Sequence, residues 1–294
     1  MAPPSHIVFI HGLSNKPPVE DLRRIWLEAL AESVDDDKGF DLGAVGVQDS
    51  FVYWADLFYD KPLSATGYES RSDELAHSVS GEMVLTSDEW TKAMQAKFCI
   101  EGNGVFEDAP IDENTTAYEA IPLPPFVKKQ VMNHFLKEAH DYLFDVNGIR
   151  DTIRKRVVDC LRQIQDGSRI VIVGHSQGSF IAYDVLTGVE DCPMVDGLLT
   201  LGSPLGVDEV QERLVWTREN GFPKKVKTDW VNVYDPFDVV ARLDPKLAND
   251  FKLSGREVVI DVKEKNWGKW RHSATKYLKG PLLRNHLRQL AGRA

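Results

Sequence analysis

The stretch that decides the fold is Ile170-Val171-Ile172-Val173-Gly174-His175-Ser176-Gln177-Gly178. Its first four residues are apolar and β-branched, which is typical of a buried strand in a parallel sheet, and a helical run begins at Phe180. A serine at such a strand-to-helix turn has a strained backbone that lifts its hydroxyl out of the sheet edge. Glycines two residues before and after Ser176 let the strand and the helix approach closely. We therefore predict that Ser176 is a nucleophile, with the amide of Gln177 directed at a substrate carbonyl oxygen.

Strand-like and helical runs alternate along most of the 294 residues. Other strands are predicted at 7–10, 47–54, 198–201, 230–234 and 258–262. Apolar residues at helical spacing predict helices within 22–30, 126–144, 149–164, 180–186, 207–219 and 282–290. This order predicts an α/β fold, a mostly parallel central sheet with helices on both faces. Because no repeat or linker divides the sequence, we expect one domain over residues 1–294.

Residues 60–125 interrupt this alternation with a polar, acidic and turn-rich stretch. So much irregular chain within a compact domain is uncommon and is usually functional or disordered. We expect this stretch to be an inserted lid or cap. It contains one predicted helix, with Thr86 and Glu89 as a capping pair. The apolar residues of that helix either line a substrate pocket or pack the helix onto the core: Trp90, Met94 and Phe98.

Composition and charge exclude several classes of function. A formal net charge of −10 argues against binding to the phosphate backbone of nucleic acids. The three cysteines, Cys99, Cys160 and Cys192, form no close pairs, so neither a disulfide framework nor a metal site is predicted. The apolar run at 7–10 is too short for a signal peptide or a membrane span, so we expect a cytoplasmic protein.

The segment Ile7 to Leu13, taken with Gly174 to Gly178, resembles the α/β-hydrolase superfamily and, more narrowly, its lipase-like serine esterases. In that family the amide that follows a His-Gly pair is the second donor to the oxyanion. The resemblance therefore implies an oxyanion hole formed by the amides of Leu13 and Gln177. It also implies that three residues of these motifs lie close to the substrate: His11, Gly12 and His175.

The same family carries its catalytic acid and then its histidine after the serine. Two histidines follow Ser176. His272 lies in a loop after the last predicted strand, whereas His286 lies on the polar face of the terminal helix. We therefore predict His272 as the general base. The acid is predicted in the segment after strand 230–234, where Asp238 is favoured and two alternatives stay open: Asp235 and Asp244.

Together these residues predict a serine hydrolase that cleaves a carboxylic ester through an acyl-enzyme on Ser176, with no metal or organic cofactor. The substrate would be a small acyl ester or a lipid. Two alternatives stay open: a thioesterase or amidase of the same fold, and a non-catalytic module in which this fold binds a partner. Ser203, in the segment Gly202 to Gly206, lacks the turn signature of Ser176 and is interpreted as a loop residue near the pocket. The oligomeric state is not indicated.

Overall fold

A computed structural model describes residues 3–71, 88–103, 133, 136–268 and 270–294 of the protein. Its strands are β1 (Ser5–Ile10), β2 (Val47–Val52), β3 (Arg169–His175), β4 (Gly197–Leu201), β5 (Trp230–Tyr234), β6 (Lys252–Leu253), β7 (Arg256–Glu257) and β8 (Ile260–Lys263). Six of them form one sheet in the order β2-β1-β3-β4-β5-β8, and every neighbouring pair in it is parallel. Strands β6 and β7 form a separate antiparallel pair.

Helices cover both faces of this sheet. They are α1 (Val19–Ala31), α2 (Ala65–Arg71), α3 (Glu89–Asn103), α4 (described over 136–143), α5 (Ile149–Arg162), α6 (Gln177–Gly188), α7 (Asp208–Gln211), α8 (Ala274–Lys279) and α9 (Pro281–Leu290). None of the described helices has the length and apolar character needed to cross a membrane.

The core lies in two layers, one on each face of the sheet, because successive residues of a strand point to opposite faces. Ile7 and Phe9 of β1 pack in one layer with apolar residues of α1, α8 and α9. Val8 and Ile10 pack in the other layer with residues of α3, α4, α5 and α6. The prediction of an α/β protein with a mostly parallel sheet between helices is confirmed.

Most predicted elements agree with the structure to within three residues at each end. The predicted helix over 126–144 is described only over 136–143. The predicted helix over 207–219 is wrong, because α7 ends at Gln211. Beyond α7, Trp216 donates from its indole nitrogen to the carbonyl of Asp250 (3.2 Å) and packs edge-on against Phe251. These tertiary contacts turn the chain away from the helical path that its apolar spacing favours.

Most of the expected lid or cap at 60–125 lies outside the described residues, which include only 60–71 and 88–103 of it. The predicted cap of α3, Thr86, also lies outside them. The side chain of Asp88, just before the helix, accepts a hydrogen bond from the amide of Thr91 (2.9 Å). Asp88 therefore caps α3.

Strand β3 and helix α6 meet in a turn that leaves no room for side chains at two positions. A Cβ on Gly174 would lie 2.6 Å from the carbonyl oxygen of Gly178. A Cβ on Gly178 would lie 2.2 Å from the carbonyl oxygen of Ile10, at the end of β1. The two glycines therefore allow α6 to begin directly against the carboxyl ends of β1 and β3.

We expect Gly178→Ala to destabilise the protein. Helix propensity alone would favour alanine by about 1 kcal/mol, but the clash with a backbone carbonyl should reverse this and cost about 1–3 kcal/mol. Urea unfolding followed by circular dichroism measures the difference. The matched control is Gly43→Ala, whose new Cβ would meet only a side-chain oxygen of Asp41 at 3.4 Å, and which should stay within about 0.5 kcal/mol of the wild type. Equal stabilities of the two variants would contradict the close approach.

Candidate active site

Ser176 lies at the carboxyl end of β3, in the turn that leads into α6. Its φ of 53° and ψ of −123° form a combination that non-glycine residues rarely adopt. The turn is held on both sides. The amide of Ser176 donates to the carbonyl of Leu201 on β4 (2.8 Å), and its carbonyl accepts from the amide of Ser179 (2.9 Å). The strained conformation is thus maintained by the neighbouring strand and by the first turn of the helix.

The hydroxyl of Ser176 contacts a histidine that lies 96 residues later in the chain. Nε2 of His272 is 2.7 Å from Oγ of Ser176, and Nδ1 of His272 is 2.8 Å from Oδ2 of Asp238. An ionised carboxylate only accepts hydrogen bonds, so Nδ1 carries the proton and Nε2 accepts from the serine hydroxyl. All three side chains are buried. The structure therefore brings together the three residues predicted as nucleophile, base and acid.

Asp238 has hydrogen-bond partners at both carboxylate oxygens. Besides His272, Oδ2 accepts from the hydroxyl of Tyr277 (2.7 Å), and Oδ1 accepts from the amides of Val240 (2.8 Å) and Ala241 (3.2 Å). Burial, and then the charge of Asp238, raises the pKa of Tyr277 well above its ordinary value, so this phenol stays a donor. These bonds fix the orientation of the carboxylate that faces His272 and stabilise its charge in a buried place.

Asp235, the first alternative acid, does not contact His272 in the part of the chain that the structure describes. Its Oδ1 accepts from the amide of Phe237 (2.7 Å), and its Oδ2 accepts from the amide of Asn266 (2.7 Å) and from Nη1 of Arg271 (3.3 Å). Asp235 therefore ties the segment that carries the acid to the loop that carries the histidine.

Asp244 and His286 lie away from these contacts. The backbone carbonyl of Asp244 lies beside Gly206, and burial, reinforced by the charge of Asp250, raises the pKa of its carboxyl to about 6. His286 is half-buried on α9. No hydrogen bond joins either side chain to Ser176 within the described ranges. The geometry favours Asp238 and His272 over these alternatives.

The loop after β1 lies directly against the turn of Ser176. A Cβ on Gly12 would lie 2.7 Å from Cβ of Ser176 and 3.0 Å from Nδ1 of His175, so only glycine fits there. Nε2 of His11 accepts from the amide of Trp54 (3.0 Å), which leaves the proton on Nδ1 to be donated to the carbonyl of Gly12 (2.7 Å). Burial lowers the pKa of His11 well below its ordinary value, so this imidazole is neutral and shapes the loop.

The two amides predicted as oxyanion donors belong to residues that adjoin this contact. Gln177 is the first residue of α6, so its N–H has no partner within the helix. Leu13 follows Gly12, which touches Ser176. Neither amide donates to another residue among those that the structure describes. Both N–H groups therefore have no acceptor within those ranges, and their role as oxyanion donors stays a prediction.

His175 is buried beside the base rather than exposed in a pocket. The centroid of its ring lies 4.8 Å from the centroid of the His272 ring, and the ring meets that of Trp26 edge-on. Burial, and then the proximity of His272, lowers the pKa of His175 well below its ordinary value, so it adds no charge next to the base. Its predicted contact with substrate stays a prediction.

Two of the apolar residues of α3 that were predicted either to line a pocket or to pack the helix onto the core, Trp90 and Met94, lie in the core. Trp90 donates from its indole nitrogen to the carbonyl of Glu209 (2.8 Å), and its ring meets those of His140 and Phe144. Met94 is fully buried in the same layer. These contacts favour the packing interpretation over the pocket. The side chain of Phe98 lies outside the described residues.

Two residues near Asp238 had no predicted role. Gly202, with a φ of 53°, approaches so closely that a Cβ would lie 2.7 Å from Oδ2 of Asp238, and Tyr277 donates to the same oxygen. No sequence spacing marks them, because both contacts join residues that are distant along the chain. Ser203, interpreted as a loop residue, lies with its Oγ 2.6 Å from Oγ of Ser179, and no histidine contact accompanies it in the described ranges.

No protein-family model matches the chain, and a search of curated proteins also gives no significant match. In the described parts of the chain, no group of three or more His, Cys, Asp or Glu side chains is arranged to hold a metal ion.

The hydrogen bond from His272 to Asp238 should be visible by proton NMR. We expect a low-field resonance from the Nδ1 proton, assigned through its loss in His272→Gln, because a carboxylate acceptor deshields the donated proton. Asp238→Asn should move this resonance to higher field or abolish it. Asp235→Asn, which changes a neighbouring carboxylate that does not bind His272, should retain it. Loss in Asp235→Asn with retention in Asp238→Asn would reverse the assignment.

Proposed function

We propose that this protein is a serine hydrolase of the α/β-hydrolase superfamily that cleaves carboxylic esters, as the lipase-like esterases do. The observation that carries the proposal is the imidazole of His272, which lies between Oγ of Ser176 (2.7 Å) and Oδ2 of Asp238 (2.8 Å). A hydroxyl joined in this way to a base, and the base to an orienting carboxylate, is the arrangement that activates a serine nucleophile.

The proposed reaction begins with attack of Oγ of Ser176 on the carbonyl carbon of the ester. Nε2 of His272 takes the hydroxyl proton as the new C–O bond forms. The negative charge then moves to the former carbonyl oxygen, where the amides of Leu13 and Gln177 stabilise it. When the tetrahedral intermediate collapses, the bond to the leaving alkoxide breaks and His272 gives it the proton. Water repeats the sequence on the acyl-enzyme and releases the acid.

Asp238 contributes by keeping the imidazole in the tautomer that can accept a proton at Nε2. It also stabilises the imidazolium that forms during each step. The hydrogen bonds from Tyr277, Val240 and Ala241 support this role, because they hold the carboxylate in place. The neutral His175 beside His272 supports it too, since a second positive charge there would oppose protonation of the base.

The substrate is proposed to be a small acyl ester or a lipid, and residues 60–125 are proposed to form the lid or cap over it. The polar and turn-rich interruption of the strand–helix alternation supports a lid. The two-layered packing of the chain around one parallel sheet supports a single α/β domain.

Ser176→Ala should abolish turnover of a panel of p-nitrophenyl esters, with a loss of roughly 10⁴-fold or more in kcat, because the variant lacks the hydroxyl that is hydrogen-bonded to His272. It should also abolish covalent labelling by a fluorophosphonate. Peptide mapping of the labelled wild type should locate the adduct on residue 176. An unchanged melting temperature would show that the variant is folded.

The matched control is Ser203→Ala, a buried serine whose Oγ contacts Ser179 rather than a histidine. This variant should keep the fluorophosphonate label on Ser176. Hydrolysis that survives in Ser176→Ala would disprove the assigned nucleophile. A wild-type protein that neither cleaves esters nor takes the label would favour a binding module, and parallel assays with acyl-CoA and amide substrates would identify a thioesterase or an amidase.

A further inference from the structure

The loop that carries the amide of Leu13 is held in an unfavourable backbone conformation. Ser14 has a φ of 73°, in the left-handed region that non-glycine residues adopt only when their surroundings hold them there. The position of the Leu13 amide, one residue earlier, depends on this backbone conformation of Ser14. Contacts from outside the loop must therefore stabilise Ser14 in this conformation, because a serine by itself prefers a negative φ.

Glu138, on α4, stabilises this conformation by binding the amide of Ser14. Its Oε1 and Oε2 both accept from the amide of Ser14, at 3.1 and 3.0 Å, and its Oε1 also accepts from the hydroxyl of Tyr59 (2.5 Å). The ammonium of Lys16 donates to the carbonyls of Leu13 and Ser14 from within the same loop. The side chain of Glu138 is fully buried, so these bonds are not exchanged for water.

Residue 138 also reaches the second proposed donor. The side-chain amide of Gln177 donates to the backbone carbonyl of Glu138 (3.3 Å). One residue of α4 is thus bonded to the segment of Leu13 through its carboxylate and to Gln177 through its backbone. Contacts with both segments therefore converge on Glu138.

We propose that Glu138 is a positioning residue for the oxyanion hole, one that holds the amide of Leu13 in register with the amide of Gln177. The proposal rests on the proposed function, because it assigns these amides to an oxyanion. Glu138 touches neither Ser176 nor His272 in the described residues, so it acts through the loop and not on the reacting atoms.

The charge of Glu138 gives this role a distinct signature. Burial raises the pKa of its carboxyl to about 7, against the lowering effects of the Tyr59 hydroxyl, the Lys16 ammonium and the Ser14 amide, while the charge of Asp141 raises it further. The carboxylate is therefore charged above about pH 7 and becomes protonated below it. Protonation weakens the hydrogen bonds between Glu138 and the Ser14 amide, so we expect the loop to be held most firmly above about pH 7.

Glu138→Gln tests the proposal with little change of shape. Glutamine keeps one acceptor oxygen but replaces the other with an NH₂ group, so the amide of Ser14 loses one of its two acceptors and the negative charge on the other. We expect kcat for ester hydrolysis to fall roughly tenfold to a hundredfold, less than the loss expected for complete removal of an oxyanion donor. KM and the rate of substrate binding should stay close to those of the wild type. The variant should still take the fluorophosphonate label, because Ser176, His272 and Asp238 are unchanged.

Tyr59→Phe provides the second measurement and does not depend on the folding of the first variant. Removing a hydrogen bond that lowers the pKa of Glu138 should move part of the acid limb of the kcat–pH profile to higher pH. In Glu138→Gln that part of the limb should be missing. A purely structural role would change the melting temperature and leave the shape of the pH profile unaltered. Asp141→Asn, which changes a neighbouring carboxylate paired with Lys137, should keep a wild-type kcat on the alkaline plateau and move the same part of the acid limb to lower pH, because the charge of Asp141 raises the pKa of Glu138.

Different results would contradict the role of Glu138 and the proposed function. An active, labelled wild type together with unchanged kcat and pH profiles in Glu138→Gln and Tyr59→Phe would overturn the role of Glu138 alone. A wild type without hydrolysis and without label would overturn the proposed function, and the role of Glu138 with it.

Discussion

Three segments of backbone meet around Ser176 at distances that exclude side chains, and the rest of the site depends on that contact. The end of β1, the end of β3 and the start of α6 approach each other at Gly12, Gly174 and Gly178, where any Cβ would collide with a neighbouring atom. Because atoms packed this closely cannot slide past each other, the strained backbone of Ser176 is held in place. The same contact places the loop after β1 against the turn that carries Ser176.

Burial of so many polar groups in one place is costly unless each has a partner. Asp238 and Asp235 are only three residues apart, yet their buried carboxylates have different hydrogen-bond partners. The first has partners at both oxygens and faces the imidazole, whereas the second binds backbone amides and Arg271 and joins two loops. The division of roles follows from the turn between them, which directs one carboxylate to the histidine and the other to the loop behind it.

The fold could be predicted largely because its signals are local. The buried strand of Ile170–Val173 and the glycines around Ser176 are readable from neighbouring residues alone. The predictions that were wrong or left open depend on contacts between residues that are distant along the chain. The helix predicted over 207–219 ends at Gln211 because Trp216 has contacts with residues near 250, and no periodic pattern carries that information. Likewise, Trp90 and Met94 could belong to a pocket or to the core until their neighbours were known.

The sequence by itself determined the class of fold, the turn at Ser176 and the small set of histidines and aspartates from which a base and an acid had to come, since these depend on residue type and on periods of two and 3.6 residues. Only the tertiary structure decided which aspartate faces His272, that Tyr277 and Gly202 complete its surroundings, and that Glu138 reaches the loop of Ser14. Those contacts join residues between 34 and 124 positions apart. Their distances depend on how whole strands and helices pack, which no local pattern in the chain specifies.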